Sequence, residues 1–238
     1  MKLLYCFILS ITALSGCAKK SAETTPMVTM DKPIDSTSLS YLALGDSYTI
    51  GQSVSQDESY PYQLTALLKT DSIPVNVPKI IAITGWTTDD LINAIRGSGI
   101  TGQKYDFVTL LVGVNDQYQG LSQDNYKIKF TQVLNTAIAS AGGDTSRVFV
   151  LSIPDYGVTP FARGNDAVIG PLIDQFNTIN KQVSLAAGVH YLDITPISRI
   201  AATEPDLIAP DGLHPSGKMY TEWMKLLEPM VKAKLKVK

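Results

Sequence analysis

The fold is set by the stretch Tyr41-Leu42-Ala43-Leu44-Gly45-Asp46-Ser47-Tyr48-Thr49. Its first four residues form a short apolar run, which predicts a buried β-strand. Gly45 permits a tight turn directly afterwards, so Ser47 is expected at the C-terminal tip of a first strand. Ligands and reacting groups collect at this edge of an open α/β sheet. Most serines in such a place only cap a turn or a helix, so the interpretation of Ser47 depends on the residues found at the ends of the later strands.

Further apolar runs alternate with amphipathic helical segments along the chain. The additional strands are predicted at 80–83, 107–112, 148–153 and 189–194. Near-continuous apolar strands separated by helices indicate a parallel sheet that is covered on both faces. The expected fold class is therefore α/β, a three-layer α/β/α domain with a central five-stranded, mostly parallel sheet. The segment that directly follows Ser47 is predicted to be a loop.

Two of the later strands end next to groups that can stabilise negative charge. Gly85 follows the second predicted strand and can present a backbone N–H with no side chain in the way. Asn115 follows the third strand and can present its side-chain amide. Together with the N–H of Ser47 itself, these groups would supply three donors to the oxyanion that forms during acyl transfer.

Only two histidines, His190 and His214, could serve as a general base. His190 lies within the fifth predicted strand, where a structural, hydrogen-bonded role is favoured. His214 lies in the turn-rich segment Asp211-Gly212-Leu213-His214-Pro215-Ser216, just before the last helix. The carboxylate of Asp211 can fold back across the turn, fix the tautomer of the imidazole and stabilise the imidazolium. Asp-x-x-His alone would be ordinary loop composition, so the interpretation of this pair depends on the groups expected at the strand ends.

At this point the sequence resembles the SGNH (GDSL-type) hydrolase family. The blocks that carry the resemblance are Gly-Asp-Ser-Tyr at 45–48, Gly85, Gly-Val-Asn-Asp at 113–116 and Asp-Gly-Leu-His-Pro at 211–215. The resemblance implies a flavodoxin-like three-layer fold and ester hydrolysis through an acyl-enzyme, without metal or cofactor. It assigns the nucleophile to Ser47, the oxyanion hole to Ser47, Gly85 and Asn115, the base to His214 and its orienting partner to Asp211. Tyr48 stands where the commonest form of the first block has leucine, a difference that concerns substrate preference.

Composition and the remaining motifs argue against several other functions. The formal net charge is −2 and the pI is about 5.7, which makes nucleic acid an unlikely partner. The G-x-G-x-x-G pattern at 97–102 follows a predicted helix and precedes a strand, the reverse of a dinucleotide site. The near match to a P-loop at 212–219 has Met219 in place of the residue that would hold magnesium. With two histidines and no usable cysteine pair, no zinc site is predicted.

The N-terminus has the pattern of an exported, lipid-anchored protein. Residues 1–16 combine a basic start, an apolar core and small residues, and Leu14-Ser15-Gly16-Cys17 resembles a bacterial lipoprotein signal. Cys17 would carry the lipid, 17–38 would form a flexible tether, and 39–238 would form the hydrolase domain. The expected location is the cell membrane or outer membrane, in the periplasm or at the cell surface.

Aromatic residues near the strand tips are candidates for substrate binding: Tyr48, Trp86, Tyr118 and Tyr156. Their rings suit a sugar, an acyl chain or simple core packing equally well. The predicted function is hydrolysis of carboxylic esters, on an acetylated glycan or a short-chain acyl ester. Lipase or lysophospholipase activity, acyl transfer to an acceptor, and a non-catalytic binding lipoprotein are the alternatives.

Overall fold

The computed structural model of the protein describes residues 37–235. The predicted signal, Cys17 and almost all of the tether lie outside the described residues. The strands are β1 (Tyr41–Gly45), β2 (Lys79–Ala82), β3 (Phe107–Leu111), β4 (Val148–Leu151) and β5 (His190–Leu192). The helices are α1 (Ser47–Ile50), α2 (Tyr60–Thr70), α3 (Thr88–Gly97), α4 (Val114–Tyr118), α5 (Gln123–Ser140), α6 (Asp166–Ala186), α7 (Thr195–Ile200) and α8 (Gly217–Leu235).

The five strands form one sheet in the order β2-β1-β3-β4-β5, and every neighbouring pair is parallel. Leu44 of β1 lies opposite Ile81 of β2 and Leu110 of β3, which fixes the register around the centre of the sheet. The predicted α/β fold with a five-stranded parallel sheet is confirmed. The direction of strand addition reverses between β1 and β3, so a crevice is expected beyond the C-terminal ends of these two strands.

Helices cover both faces of the sheet. The residues of β1, β3 and β4 are buried throughout, which explains why these strands are apolar at every position rather than at alternate ones. On one side α2 packs against α8, and a second packed set consists of α3, α5 and α6. Trp223 of α8 is completely buried beside Tyr60 and Tyr220. None of the described helices has the length and apolar character needed to cross a membrane.

The segment after Ser47 is a short helix rather than the predicted loop. Asp46 is its N-cap, and its side chain accepts the backbone N–H of Tyr48 at 3.0 Å. This capping bond satisfies a donor that the first turn of a helix would otherwise leave unpaired. A second short helix, α4, likewise begins directly beyond β3. The crevice at the end of the sheet is therefore built from short, buried helical turns.

Candidate active site

Ser47 lies at the point where β1 passes into α1. The residue is only 4% exposed, and it lines a cavity of about 150 Å³. The hydroxyl of Tyr220 donates to the backbone carbonyl of Tyr48 at 2.9 Å, so α8 holds α1 against the sheet. The candidate nucleophile is thus carried by a turn that is fixed from both sides.

His214 and Asp211 form a closely paired imidazole and carboxylate. The distance between His214 Nδ1 and Asp211 Oδ2 is 2.6 Å. Because an ionised carboxylate only accepts hydrogen bonds, Nδ1 carries the proton and Nε2 is the basic nitrogen. Asp211 Oδ1 accepts the backbone N–H groups of Leu213 and His214, both at 3.0 Å. The predicted pairing across the turn is therefore present in the structure.

The Asp211 carboxyl is surrounded by donors. Partial burial opposes its ionisation, but this effect is outweighed by hydrogen bonds from Ser53, from the His214 ring and from the backbone of the turn. Together these bonds hold the pKa of Asp211 well below its usual range. The carboxylate consequently remains charged at any pH at which the imidazole could act as a base.

The base and the nucleophile line the same cavity. His214 is 7% exposed, and its ring packs edge-on against Tyr48 with the ring centroids 5.8 Å apart. The hydrogen bonds of His214 run to Asp211 and to Ala209, and none joins its ring to Ser47. In enzymes without bound substrate, the bond between base and nucleophile is often long and tightens only in the complex.

Gly85 and Asn115 also line this cavity. Gly85 has a φ of +86°, a left-handed conformation that L side chains rarely adopt, and this turns the loop after β2 back toward the sheet edge. One side-chain N–H of Asn115 donates to the carbonyl of Trp86 at 2.9 Å. Because an amide carries two N–H donors, the second remains for an oxyanion. The geometry thus brings both candidate donors next to Ser47.

A buried carboxyl ties the two donor-bearing segments together. Asp116 accepts the backbone N–H of Thr88 at 2.9 Å and its hydroxyl at 2.6 Å, and Asp116 is only 2% exposed. Burial raises the pKa of Asp116, and the bonds from Thr88 oppose that rise. Because Thr88 begins α3 and Asp116 lies in α4, this contact sets the position of Gly85 relative to Asn115.

The four aromatic candidates occupy different places. Tyr48, Tyr118 and Tyr156 line the cavity of Ser47, whereas Trp86 is not part of this lining. Trp86 is half-buried against the core, and its contribution here is the carbonyl that accepts from Asn115. Sequence reasoning missed Phe161, which also lines the cavity and is 46% exposed.

A larger open groove, of about 560 Å³, adjoins the cavity. Tyr118, Tyr156 and Phe161 line both spaces, with ring centroids 6.1–6.5 Å apart. Arg163 and Asn165 add polar groups to the groove. The site therefore combines a small chamber at Ser47 with a wider aromatic surface beside it.

His190 lies away from the cavity, in β5. Its ring stacks on Phe149 with a centroid distance of 5.0 Å, and burial, followed by the charge of Lys234, lowers its pKa. This placement fits the structural role predicted for it. Residues 37–235 contain no group of three or more His, Cys, Asp or Glu side chains arranged to hold a metal ion.

Sequence reasoning also missed the loop that follows α1. Ser53 donates to Asp211 Oδ2 at 2.6 Å, and Gln52 Oε1 accepts from the hydroxyl of Thr84 at 2.6 Å. Nothing in the local sequence indicates these partners, because both contacts join segments that are far apart along the chain.

Solved structures of similar fold include esterases and a lipase/acylhydrolase. The esterase EstA from Pseudoalteromonas sp. superimposes with a TM-score of 0.63 at 18% identity, covering 83% of this chain and 98% of that chain. A lipase/acylhydrolase from Enterococcus faecalis gives 0.64 at 19% identity, covering 84% and 98%. The acetylxylan esterase Axe2 from Geobacillus stearothermophilus gives 0.61 at 17% identity, covering 84% and 95%. At these identities the likeness shows the fold.

The family assignment comes from the sequence itself. No curated protein matches the chain at a significant level. The sequence profile of the GDSL-like Lipase/Acylhydrolase family, however, matches residues 43–221, which include the first block at Ser47, the donors at Gly85 and Asn115, and His214. The chain therefore belongs to the GDSL-like (SGNH) lipase/acylhydrolase family and is a carboxylic ester hydrolase.

Proposed function

We propose that the protein hydrolyses short-chain carboxylic esters, O-acetylated glycans in particular, by a Ser-His-Asp acyl-enzyme mechanism. The observation that supports this proposal is that the four candidate catalytic groups line one cavity. Ser47, His214, Gly85 and Asn115 all face it, and His214 is paired with Asp211 at 2.6 Å. A nucleophile, a base and two oxyanion donors around one space are the groups that acyl transfer needs.

In the proposed first half-reaction, Ser47 Oγ attacks the ester carbonyl while His214 Nε2 takes its proton. The carbonyl oxygen becomes an oxyanion, which accepts hydrogen bonds from the N–H groups of Ser47 and Gly85 and from Asn115. His214 then gives its proton to the leaving oxygen, so the C–O bond breaks and the alcohol departs. Asp211 stabilises the imidazolium in the interval.

The second half-reaction releases the acid. Water attacks the acyl-enzyme while His214 removes one of its protons, and the same oxyanion donors stabilise the new tetrahedral intermediate. Collapse of that intermediate returns the proton to Ser47 Oγ and frees the carboxylic acid. Each step uses groups of the chain and water alone.

The sizes of the two spaces support a short acyl group and a larger alcohol. The cavity at Ser47 is about 150 Å³, well below the volume of pockets that bury drug-sized ligands. The adjoining groove is open and carries exposed rings at Tyr118 and Phe161, which are 59% and 46% exposed. Exposed rings beside polar groups suit the apolar face and the hydroxyls of a sugar. We therefore place the acyl group in the cavity and the glycan in the groove.

The test of the activity compares p-nitrophenyl esters from acetate to decanoate. The full-length chain in detergent solution is assayed beside its Ser47→Ala variant. Highest kcat/KM with acetate, lost in the variant, supports the proposal, and acetate release from acetylated xylo-oligosaccharides supports the glycan substrate. An optimum at decanoate, or turnover of lysophospholipid above that of the acetylated sugars, would favour a lipase instead.

We also propose that the protein is exported and anchored by a lipid on Cys17, from the signal-like sequence at 1–16. Labelled palmitate fed to expressing cells should appear on the wild-type protein and be absent from Cys17→Ala. Equal labelling of both proteins would contradict the anchor. This outcome is independent of the esterase assay.

A further inference from the structure

The loop that follows α1 contacts two parts of the proposed active site. Ser53 Oγ donates to Asp211 Oδ2 at 2.6 Å, the same oxygen that lies 2.6 Å from His214 Nδ1. One residue earlier, Gln52 Oε1 accepts from Thr84, the neighbour of Gly85. Six residues after the nucleophile, the chain thus reaches both the triad carboxylate and the oxyanion loop.

Ser53 holds this position in a strained backbone conformation. Its φ is +68°, in the left-handed region that favours glycine. Strained residues persist where their surroundings fix them, and they concentrate at functional sites. Here the conformation directs the side chain of an otherwise exposed serine onto a catalytic carboxylate.

Among the hydrogen bonds that the Asp211 carboxylate makes within residues 37–235, only the one from Ser53 comes from outside its own turn. The other donors are the backbone N–H groups of Leu213 and His214 and the His214 ring. Those three bonds would move with the turn if it shifted relative to Ser47. The bond from Ser53 is therefore the direct link between the segment of the nucleophile and the carboxylate that orients the base.

We propose that Ser53 is a positioning residue that fixes Asp211, and through it His214, relative to Ser47. The inference rests on the esterase mechanism proposed above. The contact has an electrostatic consequence as well. Because the Ser53 hydroxyl donates to Asp211 Oδ2, it reduces the negative charge on that oxygen, and Asp211 then stabilises the His214 imidazolium less strongly. Burial raises the pKa of the phenols of Tyr48 and Tyr220, and the charge of Asp211 raises it further. Arg163 lines the same groove as Asp211.

The test removes the hydroxyl of Ser53 in two ways. Ser53→Ala keeps the backbone strain, whereas Ser53→Gly relieves it. A hydrogen bond to a charged group contributes about tenfold or more, and water can partly replace an exposed hydroxyl, so kcat should fall about tenfold in both variants. KM should stay within about twofold of wild type, because the substrate contacts are unchanged. Ser53→Asn, which tolerates left-handed backbone and supplies an N–H donor, should restore part of kcat.

A pH profile separates positioning from a general loss of structure. Without the Ser53 hydroxyl, Asp211 should stabilise the His214 imidazolium more strongly. A higher pH is then needed to free the base, so the acidic limb of the kcat/KM profile should move to higher pH in Ser53→Ala and Ser53→Gly. Ser72 offers a matched control, since it is an exposed serine with a φ of +62° that lies after α2, outside the site. Ser72→Gly should change neither kcat nor the pH profile.

An activity-independent readout keeps this inference separate from the esterase proposal. The Nδ1 proton of His214 should give a low-field NMR signal, assigned by its loss in His214→Ala. That signal should move further downfield in Ser53→Ala and stay in place in Ser72→Gly. Unchanged kcat, pH profile and proton signal in the Ser53 variants would overturn the positioning role in an active enzyme. If wild type hydrolyses no ester, the esterase proposal fails, and the proton signal alone decides whether Ser53 acts on Asp211.

Discussion

Asp46, which directly precedes the candidate nucleophile Ser47, is fully buried. Its Oδ1 accepts the N–H of Tyr48, and its Oδ2 has no hydrogen-bond partner in the part of the chain that the structure describes. Burial raises the pKa of Asp46 to about 8. The hydrogen bond from the Tyr48 N–H lowers this pKa, whereas the negative charge of Asp116 raises it further. Asp46 should thus cap α1 as a neutral acid below about pH 8.

The buried acid makes stability depend on pH. Below the ordinary value of 3.8 both the folded and unfolded states hold the proton, whereas between 3.8 and about 8 only the folded state does. The free energy of unfolding should therefore fall as pH rises through this window, by up to about 1.4 kcal/mol per unit from this group. Urea titrations at several pH values should show a flatter profile for Asp46→Asn than for wild type. Parallel profiles would mean that Asp46 is ionised in the folded protein.

The residues of the proposed triad should differ in how much activity is lost when each is replaced. Ser47→Ala removes the nucleophile and should lower kcat/KM by roughly 10⁴-fold or more. Asp211→Asn should cost less, about 10³-fold, because the amide can favour the wrong imidazole tautomer while the oxyanion donors remain. Rates with p-nitrophenyl acetate, together with circular dichroism to show intact folding, check this order. A nearly active Asp211→Asn would remove Asp211 from the mechanism.

At the scale of the elements, the junction between β1 and α1 is the tightest part of the site. A Cβ at Gly45 would lie 2.3 Å from the carbonyl oxygen of Leu111 in β3 and 2.1 Å from the hydroxyl oxygen of Thr49. Neither group can move freely, since one is strand backbone and the other is in a buried helix. Only glycine lets the first strand turn into α1 at this distance from its neighbour.

Gly45→Ala should consequently destabilise the protein by about 3 kcal/mol through overpacking. Gly97→Ala is the matched control, because Gly97 ends α3 with ordinary φ and open space around its Cα. Alanine there should be neutral or stabilise slightly, by up to about 1 kcal/mol. Thermal unfolding of both variants tests this prediction. Equal Tm values for Gly45→Ala and Gly97→Ala would show that the structure around Gly45 can adjust to the added methyl group.

At the scale of the whole molecule, Arg199 of α7 connects three parts of the chain. It pairs with Asp155 beyond β4 at 2.9 Å and with Asp174 of α6 at 2.8 Å. The side chain of Asp155 is only 3% exposed, whereas that of Arg199 is 38% exposed. Because Tyr156 of the active-site cavity follows Asp155 directly, this ion pair also sets one wall of the site.

Arg199→Ala should leave a buried carboxylate without its cation. The expected loss is roughly 2 kcal/mol, less than for a fully buried pair because water reaches Arg199. KM should rise as Tyr156 loses its support. Lys218→Ala provides the comparison, since that lysine pairs with the exposed Glu204 and Asp206 and its loss should change the free energy of unfolding far less. Equal unfolding free energies for the two variants would contradict the bridging role of Arg199.

The fold was predictable because its signals are local. Apolar runs such as 107–112 and 148–153 can be buried only as central strands of a covered parallel sheet, and the structure has them there. The strand tips are evident from the same pattern, so Ser47, Gly85 and Asn115 could be assigned to one edge from the sequence. The pairing of His214 with Asp211 was also predictable, because it spans three residues of one turn.

The contacts of the site that the sequence did not predict depend on tertiary structure, because they join segments that are far apart along the chain. The sequence alone determined the order of the candidate groups along the chain: a serine and two donors just beyond the ends of β1, β2 and β3, and a histidine in the turn before α8. Only the folded chain places Ser53 on Asp211, separated by 158 positions, and Trp86 behind Asn115 rather than in the cavity. Local propensity fixes the elements, but the partners of a side chain depend on which strand tips the sheet brings together.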